Sequence, residues 1–474
     1  MKSLKTLWHL LAVLLIVTLV LGACQPEEAT ETPAVEVERE EPTETEMEEG
    51  EEVAVEEMDL QGAAAPLNAD VSGEVEFWHF WGSPVRRTAI RRAIAICTEK
   101  LPNITVEEVF KPWGDIWTAN IAAVAAGSGM PDVIVEDRPK LQQRARDEVV
   151  ENLQPYIDRD NLDPEQFWDF TWEETLYEEN SYGVPFETDV RVLFWNKQLF
   201  EQAGLDPEQP PETWDDLLEY ADALDVQNED GSYERIAFFP LWSVGPDLWA
   251  LTNGHDMVQD GQPVVDDPQM VETLRWTKDW IDRYGGWQEL QNYRARYSAP
   301  PNDLFMSGAV AMLVDISGYH SVLSFYRPSV ELENGETPRM EWGIAPIPYR
   351  EEHADWSGGF ALSVPRGAEN PDAAWELIKC LTGPEAQMSW TRDTSSIPTN
   401  EEAARHPVLM ADPYWEAIIE NMQWSQGSEY VSEYPNWGEQ LWQRYEAIWT
   451  GEMKPAEAME EAQEAINEVM AQNE

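Results

Sequence analysis

Two residue types in this sequence invite a chemical reading. It carries 91 aspartates and glutamates against 31 lysines and arginines, a formal net charge of -60, and it carries 23 tryptophans. A carboxylate accepts hydrogen bonds from paired hydroxyls, and an indole offers a broad apolar face with one N–H donor. Most of the tryptophans belong to cores, but the excess suits a neutral or cationic solute with flat apolar faces. The same acidity repels polyanions, which sets nucleic acid aside as a partner and disfavours phosphorylated ligands. Acid pairs could also serve a secreted glycoside hydrolase. Against that reading, the chain has no nucleophile elbow, zinc motif or phosphate loop. Its six histidines (His9, His79, His255, His320, His353, His406) show no metal-ligand spacing. No catalytic residue, metal or cofactor is therefore expected.

Three cysteines remain to be placed. Cys24 follows Lys2, Lys5 and an apolar run over residues 7–21, the layout of a secretory signal and too short for a membrane span. Leu21-Gly-Ala-Cys24 resembles the lipobox of bacterial lipoproteins. That resemblance implies cleavage before Cys24, lipid on its sulfur and an extracytoplasmic location anchored to the membrane. Cys97 and Cys380 lie far apart, outside any C-x-x-C pattern. An extracytoplasmic location permits a disulfide, yet they read more simply as two buried free thiols.

The elements that must position any site follow in order. Residues 25–70 hold 17 acids, one base and no aromatic residue, so they read as a disordered acidic tether. Order is expected from about Val71. Residues 74–81 alternate as a strand. Ser83 and Pro84 then cap a helix to about Lys100. Residues 104–109 form a strand, 116–126 a helix and 131–135 a short buried strand. This alternation implies a parallel sheet flanked by helices, with ligands at the strands' carboxyl ends: residues 78–83, 110–113 and 136–138. Further on, 190–195 reads as a strand and 197–203 as a helix closed by Gly204. Thr213 and Asp216 make a capping box. Residues 236–240 read as a strand and 268–284 as an amphipathic helix. Residues 304–314 read as a short helix running into a strand. Strand 360–364, helix 371–381 and Trp-rich helices follow, ending in a polar helix from Pro455.

Several segments, taken in order, resemble the extracellular solute-binding proteins of ABC importers, in the sugar-binding group that includes maltose-binding protein. They are Gly129-Met-Pro-Asp-Val133; Tyr182-Gly-Val-Pro185 through Phe194-Trp-Asn-Lys197, with Trp195 where tyrosine is usual; Ala203-Gly204 through Pro211-Glu-Thr-Trp214; Phe305 to Met312; Ser357-Gly-Gly359; Asn370 to Trp375; and Ile397-Pro398. The resemblance runs from about Gly73 to the C-terminus. It implies an α/β, two-lobed periplasmic-binding-protein fold (type II) that closes on solute like a hinge. In this reading residues 1–23 are the signal and 24–70 the lipidated cysteine and tether. Residues 71–186 and 357–397 form lobe 1, and residues 187–356 and 398–474 form lobe 2.

By position in that pattern, lobe 1 offers Trp78, Trp81, Glu136, Asp137 and Arg138 to the ligand. The first crossing offers Glu187 and, preferentially, Asp189. Lobe 2 offers Trp242, Tyr319 (or its neighbour His320) and Trp437. The second crossing offers Trp356 and Gly358. The implied partners are a small solute, a carbohydrate before a polyol, polyamine or peptide, and the permease subunits of an ABC transporter, with the chain itself a monomer. Signalling to a membrane kinase is the alternative output.

Overall fold

A computed structural model of the chain describes residues 60, 62–332, 334–428, 431 and 434–473. Cys24 and most of the expected tether lie outside these residues.

The strands that organise the molecule are, in chain order, β1 (Gly73–His79), β2 (Ile104–Phe110), β3 (Val133–Asp137), β4 (Val184–Thr188), β5 (Arg191–Asn196), β6 (Met312–Ile316), β7 (Trp342–Ala345), β8 (Asp355–Trp356), β9 (Gly359–Ser363), β10 (Ile397–Pro398) and β11 (Ser425–Gln426). The helices that matter below are α1 (Pro84–Lys100), α2 (Asp115–Ala126), α3 (Arg138–Arg146), α4 (Pro246–Thr252), α5 (Pro268–Arg283), α6 (Pro371–Leu381), α7 (Pro384–Thr394), α8 (Glu439–Thr450) and α9 (Pro455–Asn473).

One lobe is built on a six-stranded sheet in the order β10-β4-β9-β3-β1-β2. Strand β1 runs parallel to β2 and β3, while β9 is antiparallel to both β3 and β4. The parallel part follows from the strand–helix–strand alternation of residues 73–137, since a parallel return needs a crossover helix. Ser83 accepts the Arg86 N–H at the start of α1, and Pro84 occupies the first helical position. The core of this lobe packs Val75, Phe77 and Val135 of the sheet against Ile90 and Ile94 of α1 and Trp375 and Leu377 of α6.

The second lobe centres on a three-stranded antiparallel sheet, β6-β5-β7. A separate apolar cluster joins α5, α8 and α9 through Leu274, Tyr445, Ile448, Met459 and Ile466. The chain passes between the sheets at residues 189–190, between β4 and β5, and again from β8 to β9. Strand β8 is paired in parallel with β11, which ties the second crossing to the C-terminal part of the chain. Gly359 sits where the crossings touch. Its φ is +134°, and a Cβ there would lie 2.2 Å from the Glu187 carbonyl oxygen, so only glycine fits.

Four expectations are corrected. Cys97 and Cys380 are joined in a disulfide that links α1 to α6, with Cα atoms 5.6 Å apart across 283 residues of sequence. Residues that sequence spacing sets far apart are brought together by the packing of both helices on one sheet. Order begins before Val71: Ala64 and Ala65 are buried against lobe 1, and the Ala64 N–H donates to the Lys379 carbonyl at 2.7 Å. The uncharged Gly62–Leu67 stretch can bury backbone and methyl groups without desolvating a charge. Residues 236–240 do not form a regular strand. Ile236 makes one bridge to Val310, and Ala237 accepts from Met312 N at 2.8 Å, before Pro240 removes the next donor. Residues 304–308 make turns rather than a helix, because Gly308, at φ +73°, ends the segment after one turn.

Candidate functional site

Both crossings contribute charged side chains to the floor between the lobes. In β5, Arg191 has its guanidinium paired with Asp189 and donating to the Trp356 carbonyl at 3.1 Å. The same guanidinium lies 4.1 Å from the centre of the Trp356 ring. The Trp356 indole N–H donates to Asp247 Oδ2 at 3.1 Å, at the start of α4. Asp189 Oδ1 also accepts the Gly358 N–H at 3.1 Å. The ring of Trp356 is thus held by a cation on its face, a carboxylate on its edge and its own backbone. Asp189, Trp356 and Gly358, chosen from sequence, are brought together here.

A continuous groove runs from this point along lobe 2. Its middle is a cavity of about 370 Å³ lined by Arg191, Trp242, Ser243, Asp247, Trp356, Trp442 and Trp449. On one side it shares Trp242 and Ser243 with a cavity of about 480 Å³ that reaches Asp315 and Tyr319. On the other it shares Asp247 and Trp356 with one of about 180 Å³ that reaches Gln426 and Trp437. Trp242, Tyr319, Trp356 and Trp437 therefore line neighbouring cavities that share walls. The Trp242 indole N–H is buried without a partner among the described residues. Tyr319 donates to both oxygens of Asp303, at 2.9 and 3.0 Å, and is fixed in place. His320 is turned away, accepting from Trp342 at 3.3 Å. A larger cavity of about 710 Å³ lies between residues 168–174 and 422–428. Its lining is dominated by Asp169, Glu173, Glu174, Glu401 and amides, and it lacks the array of indole faces that marks the groove.

Three carboxyls here, those of Asp137, Asp247 and Asp315, are held above their ordinary range. Burial raises Asp137, and neighbouring Asp189 adds to it. Burial likewise raises Asp247 and Asp315, with Arg191 opposing it at both. Ser243 donates to Asp315 Oδ2 at 2.9 Å. Around Trp356, Arg191 is committed to Asp189 and to the ring, so this part of the groove presents carboxylates and indoles, while Arg294 lines the cavity towards Tyr319. Carboxylates and indoles together hold hydroxyl-rich, uncharged rings.

Five sequence-chosen residues are buried among protein groups instead. Trp78 is 5% exposed, lodged among Ile116, Trp117 and Ile134 under a Lys111 ammonium. Trp81 is 1% exposed and packs on Trp390 at 4.5 Å. Glu187 is buried and fully engaged, accepting from Trp81 at 3.3 Å, Trp390 at 2.9 Å and Arg86 at 3.3 Å. Glu136 is wholly buried, 3.7 Å from Arg144, and burial pushes its carboxyl up to about 8. Arg138 is buried as well. It pairs with Glu174 at 3.2 Å and donates to Thr188 at 3.0 Å and to the Gly358 carbonyl, so it braces both crossings from below. Asp137, half-buried at the end of β3, remains at the cleft edge.

Sequence reasoning passed over Arg191, Asp247, Ser243, Trp442 and Trp449. Arg191 was legible in principle, standing two residues after Asp189 in an extended segment. Asp247 and the α8 tryptophans carry no local signal, since only the packing of α4 and α8 brings them to the groove.

Fold and cleft together define a two-lobed solute-binding protein. The chain belongs to the bacterial extracellular solute-binding protein family, whose model matches residues 92–417. Among curated relatives, the sn-glycerol-3-phosphate-binding periplasmic protein UgpB of Escherichia coli is 24% identical over 310 residues, 60% of this chain and 66% of its own length. A binding protein of Brucella abortus is 23% identical over 318 residues, 64% of this chain and 71% of its own. Among solved structures, CpMnBP1 with mannotriose bound superimposes with a TM-score of 0.72 at 24% identity, covering 83% of this chain and 99% of its own. The cyclic α-maltosyl-1,6-maltose binding protein of Arthrobacter globiformis gives 0.69 at 20% identity, covering 85% and 100%.

Proposed function

We propose that this chain captures an uncharged carbohydrate outside the cytoplasmic membrane and delivers it to the permease subunits of an ABC importer. It acts as a monomer, anchored through lipid on Cys24, and performs no chemistry on the solute. The observation that carries the reading is the Trp356 assembly: an indole fixed by Arg191 and Asp247 at the centre of a groove with Trp242 at one end and Trp437 at the other. Several of its relatives and structural neighbours are named for sugars or a sugar-derived phosphate. Within that range the acid-lined groove favours an unphosphorylated solute. The binding reading fits better than a hydrolase one, because the cleft carboxylates are engaged with Arg191, Trp356 and Ser243 rather than set as a free pair.

The test is thermal denaturation of the intact chain against a panel of neutral mono- and oligosaccharides, with glycerol 3-phosphate alongside. A ligand at 100 times its dissociation constant adds about 2.7 kcal/mol of stability and gives a visible shift. At least one neutral sugar is expected to stabilise the protein and glycerol 3-phosphate is not. Trp356→Ala should weaken the hit roughly 30-fold, as loss of a central aromatic anchor does. Stabilisation by the phosphate alone would overturn the proposal.

A further inference from the structure

Residues 167–174 lie where two cores meet: Phe167 packs in the core of lobe 1, while Trp168 and Phe170 pack in that of lobe 2. Glu174 ends this stretch. It is 3% exposed and lies at the wall of the cavity of about 710 Å³, outside the groove around Trp356. Its Oε1 accepts the Ser428 N–H at 2.9 Å, and its Oε2 lies 3.2 Å from Arg138. Gly427 lets the chain pass this close, since a Cβ there would lie 2.7 Å from Glu174 Cγ. From Glu174 a run of contacts leads to the groove. Arg138 donates to the Gly358 carbonyl and, at 3.0 Å, to Thr188 Oγ1. The Gly358 N–H donates to Asp189 at 3.1 Å, Asp189 pairs with Arg191, and the Arg191 guanidinium lies 4.1 Å from the centre of the Trp356 ring. A second route arrives at the same crossing, because the Ser357 N–H donates to the Gln426 carbonyl at 2.9 Å, two residues before Ser428.

We infer that Glu174 is a positioning residue for the Trp356 assembly, holding the second crossing through Arg138 and Ser428 when neutral and releasing it when ionised. What this does to solute affinity rests on the carbohydrate reading above; what it does to the crossing does not. Arg138 faces Glu174 as a cation, and Asp137 and Asp189 act on it as acids. Asp169, Glu173, Asp256 and Glu401 line the same cavity. Burial, with the acids adding to it, pushes the Glu174 carboxyl up to about 7, so it is neutral below that pH and ionised above it. Once ionised, it draws the Arg138 guanidinium to itself by charge as well as by hydrogen bonding. Gly358 and Thr188 then lose their shared donor, and the hold on Asp189, Arg191 and Trp356 loosens. The bland alternative is that Glu174 only fills the junction. In that case its neutral variant would change the melting temperature and nothing at the crossing.

Hydrogen–deuterium exchange of the full-length chain at pH 6 and pH 8.5, corrected for intrinsic rates, reads the crossing at residues 357–360. Asp355 titrates beside this segment, so the comparison with Glu174→Gln decides. The variant should match the wild type at pH 6 and stay more protected at pH 8.5. A Glu173→Gln control, in the same cavity, should behave as wild type. Gly427→Ala, which presses on the Glu174 side chain, should lower protection at both pH values. Calorimetric titration with mannotriose, maltotriose, cellotriose and xylotriose reads the same change as affinity. The fall in affinity from pH 6 to pH 8.5 should be about fivefold larger in the wild type than in Glu174→Gln, the size of a modest coupling between distant groups. Equal exchange in the wild type and Glu174→Gln at pH 8.5, or wild-type protection in Gly427→Ala, overturns the inference. Parallel affinity profiles for the wild type and Glu174→Gln overturn its link to Trp356. A wild type that binds none of the four trisaccharides, and no sugar in the wider panel, while exchange behaves as expected, overturns the carbohydrate reading and leaves the control of the crossing by Glu174 standing.

Discussion

Asp355 is 4% exposed and accepts the Arg191 backbone N–H at 2.9 Å, yet burial still pushes its carboxyl up to about 8. Glu174 behaves alike. Arg138 sits 3.2 Å away and the Ser428 N–H donates at 2.9 Å, but burial outweighs both and holds it at about 7. Such groups are protonated in the folded chain and ionised in the unfolded one between about pH 4 and pH 7–8, so the folded state binds more protons there. Their contribution to stability is full below about pH 4 and is lost as pH rises through the folded values. Asp355→Asn should therefore raise the melting temperature more at pH 8.5 than at pH 5. Melting curves of both proteins across that range check it; an equal shift at both pH values would refute the assignment. The contrast between Glu187 and Asp189 belongs to this scale too. Both are acids at one crossing, two residues apart in the sequence. Glu187 lies inside the six-stranded sheet, paired with Phe360 and Pro398, where Trp81, Trp390 and Arg86 close around it. Asp189 lies just past the strand end, with Gly358 and Arg191.

At the scale of elements, the segment before β1 is part of the fold. Lys379 is 1% exposed and pairs with Asp160 at 2.7 Å and Glu376 at 3.0 Å, while its ammonium also donates to the Pro66 carbonyl at 2.7 Å. Glu376 accepts the Asn68 N–H at 2.8 Å, and Gln166 donates to the Ala64 carbonyl at 2.9 Å. Removing residues 60–70 would strip these polar partners from a buried ion cluster. At about 1 kcal/mol per net hydrogen bond, the loss is roughly 3 kcal/mol. A chain beginning at Val71 should melt several degrees below one beginning at Leu60, while binding the same solute with the same affinity. Paired melting and titration curves decide this; identical melting temperatures would mean the segment is ornamental. Helix α4 and helix α8 show the other side of this scale. Each forms for local reasons, such as Pro246 at the first position of α4 and Gly451 in the left-handed conformation after α8. Nothing local says that their Asp247, Trp442 and Trp449 share a groove.

At the scale of the whole molecule, the two sheets are joined where β4 leads into β5 and β8 into β9, and Arg138 and Gly359 brace those joints. A solute that touches Asp137 and Trp356 together stabilises only the arrangement in which the lobes are close, and that differential contact is what shifts the equilibrium. Small-angle scattering should therefore show a smaller radius of gyration with a saturating ligand than without. Superimposable profiles with a ligand that calorimetry proves bound would sink the hinge mechanism.

The sequence by itself determined the alternation of strands and helices over residues 73–137, the caps at Ser83 and Thr213, and the family segments that carry the two-lobed fold. These are set by local periodicity, capping chemistry and short motifs, all of which act over a few residues. The resemblance of its segments to the family also put Asp189, Trp356 and Gly358 near the crossings. The tertiary structure alone decided the rest. The Cys97–Cys380 disulfide, the burial of Glu136, Trp78 and Trp81, the burial of residues 64–65 and the meeting of Trp242, Asp247 and Trp437 around one groove all depend on side chains from separate elements reaching the same place. Periodicity and capping carry no information about such distant approaches; packing of helices on sheets sets them.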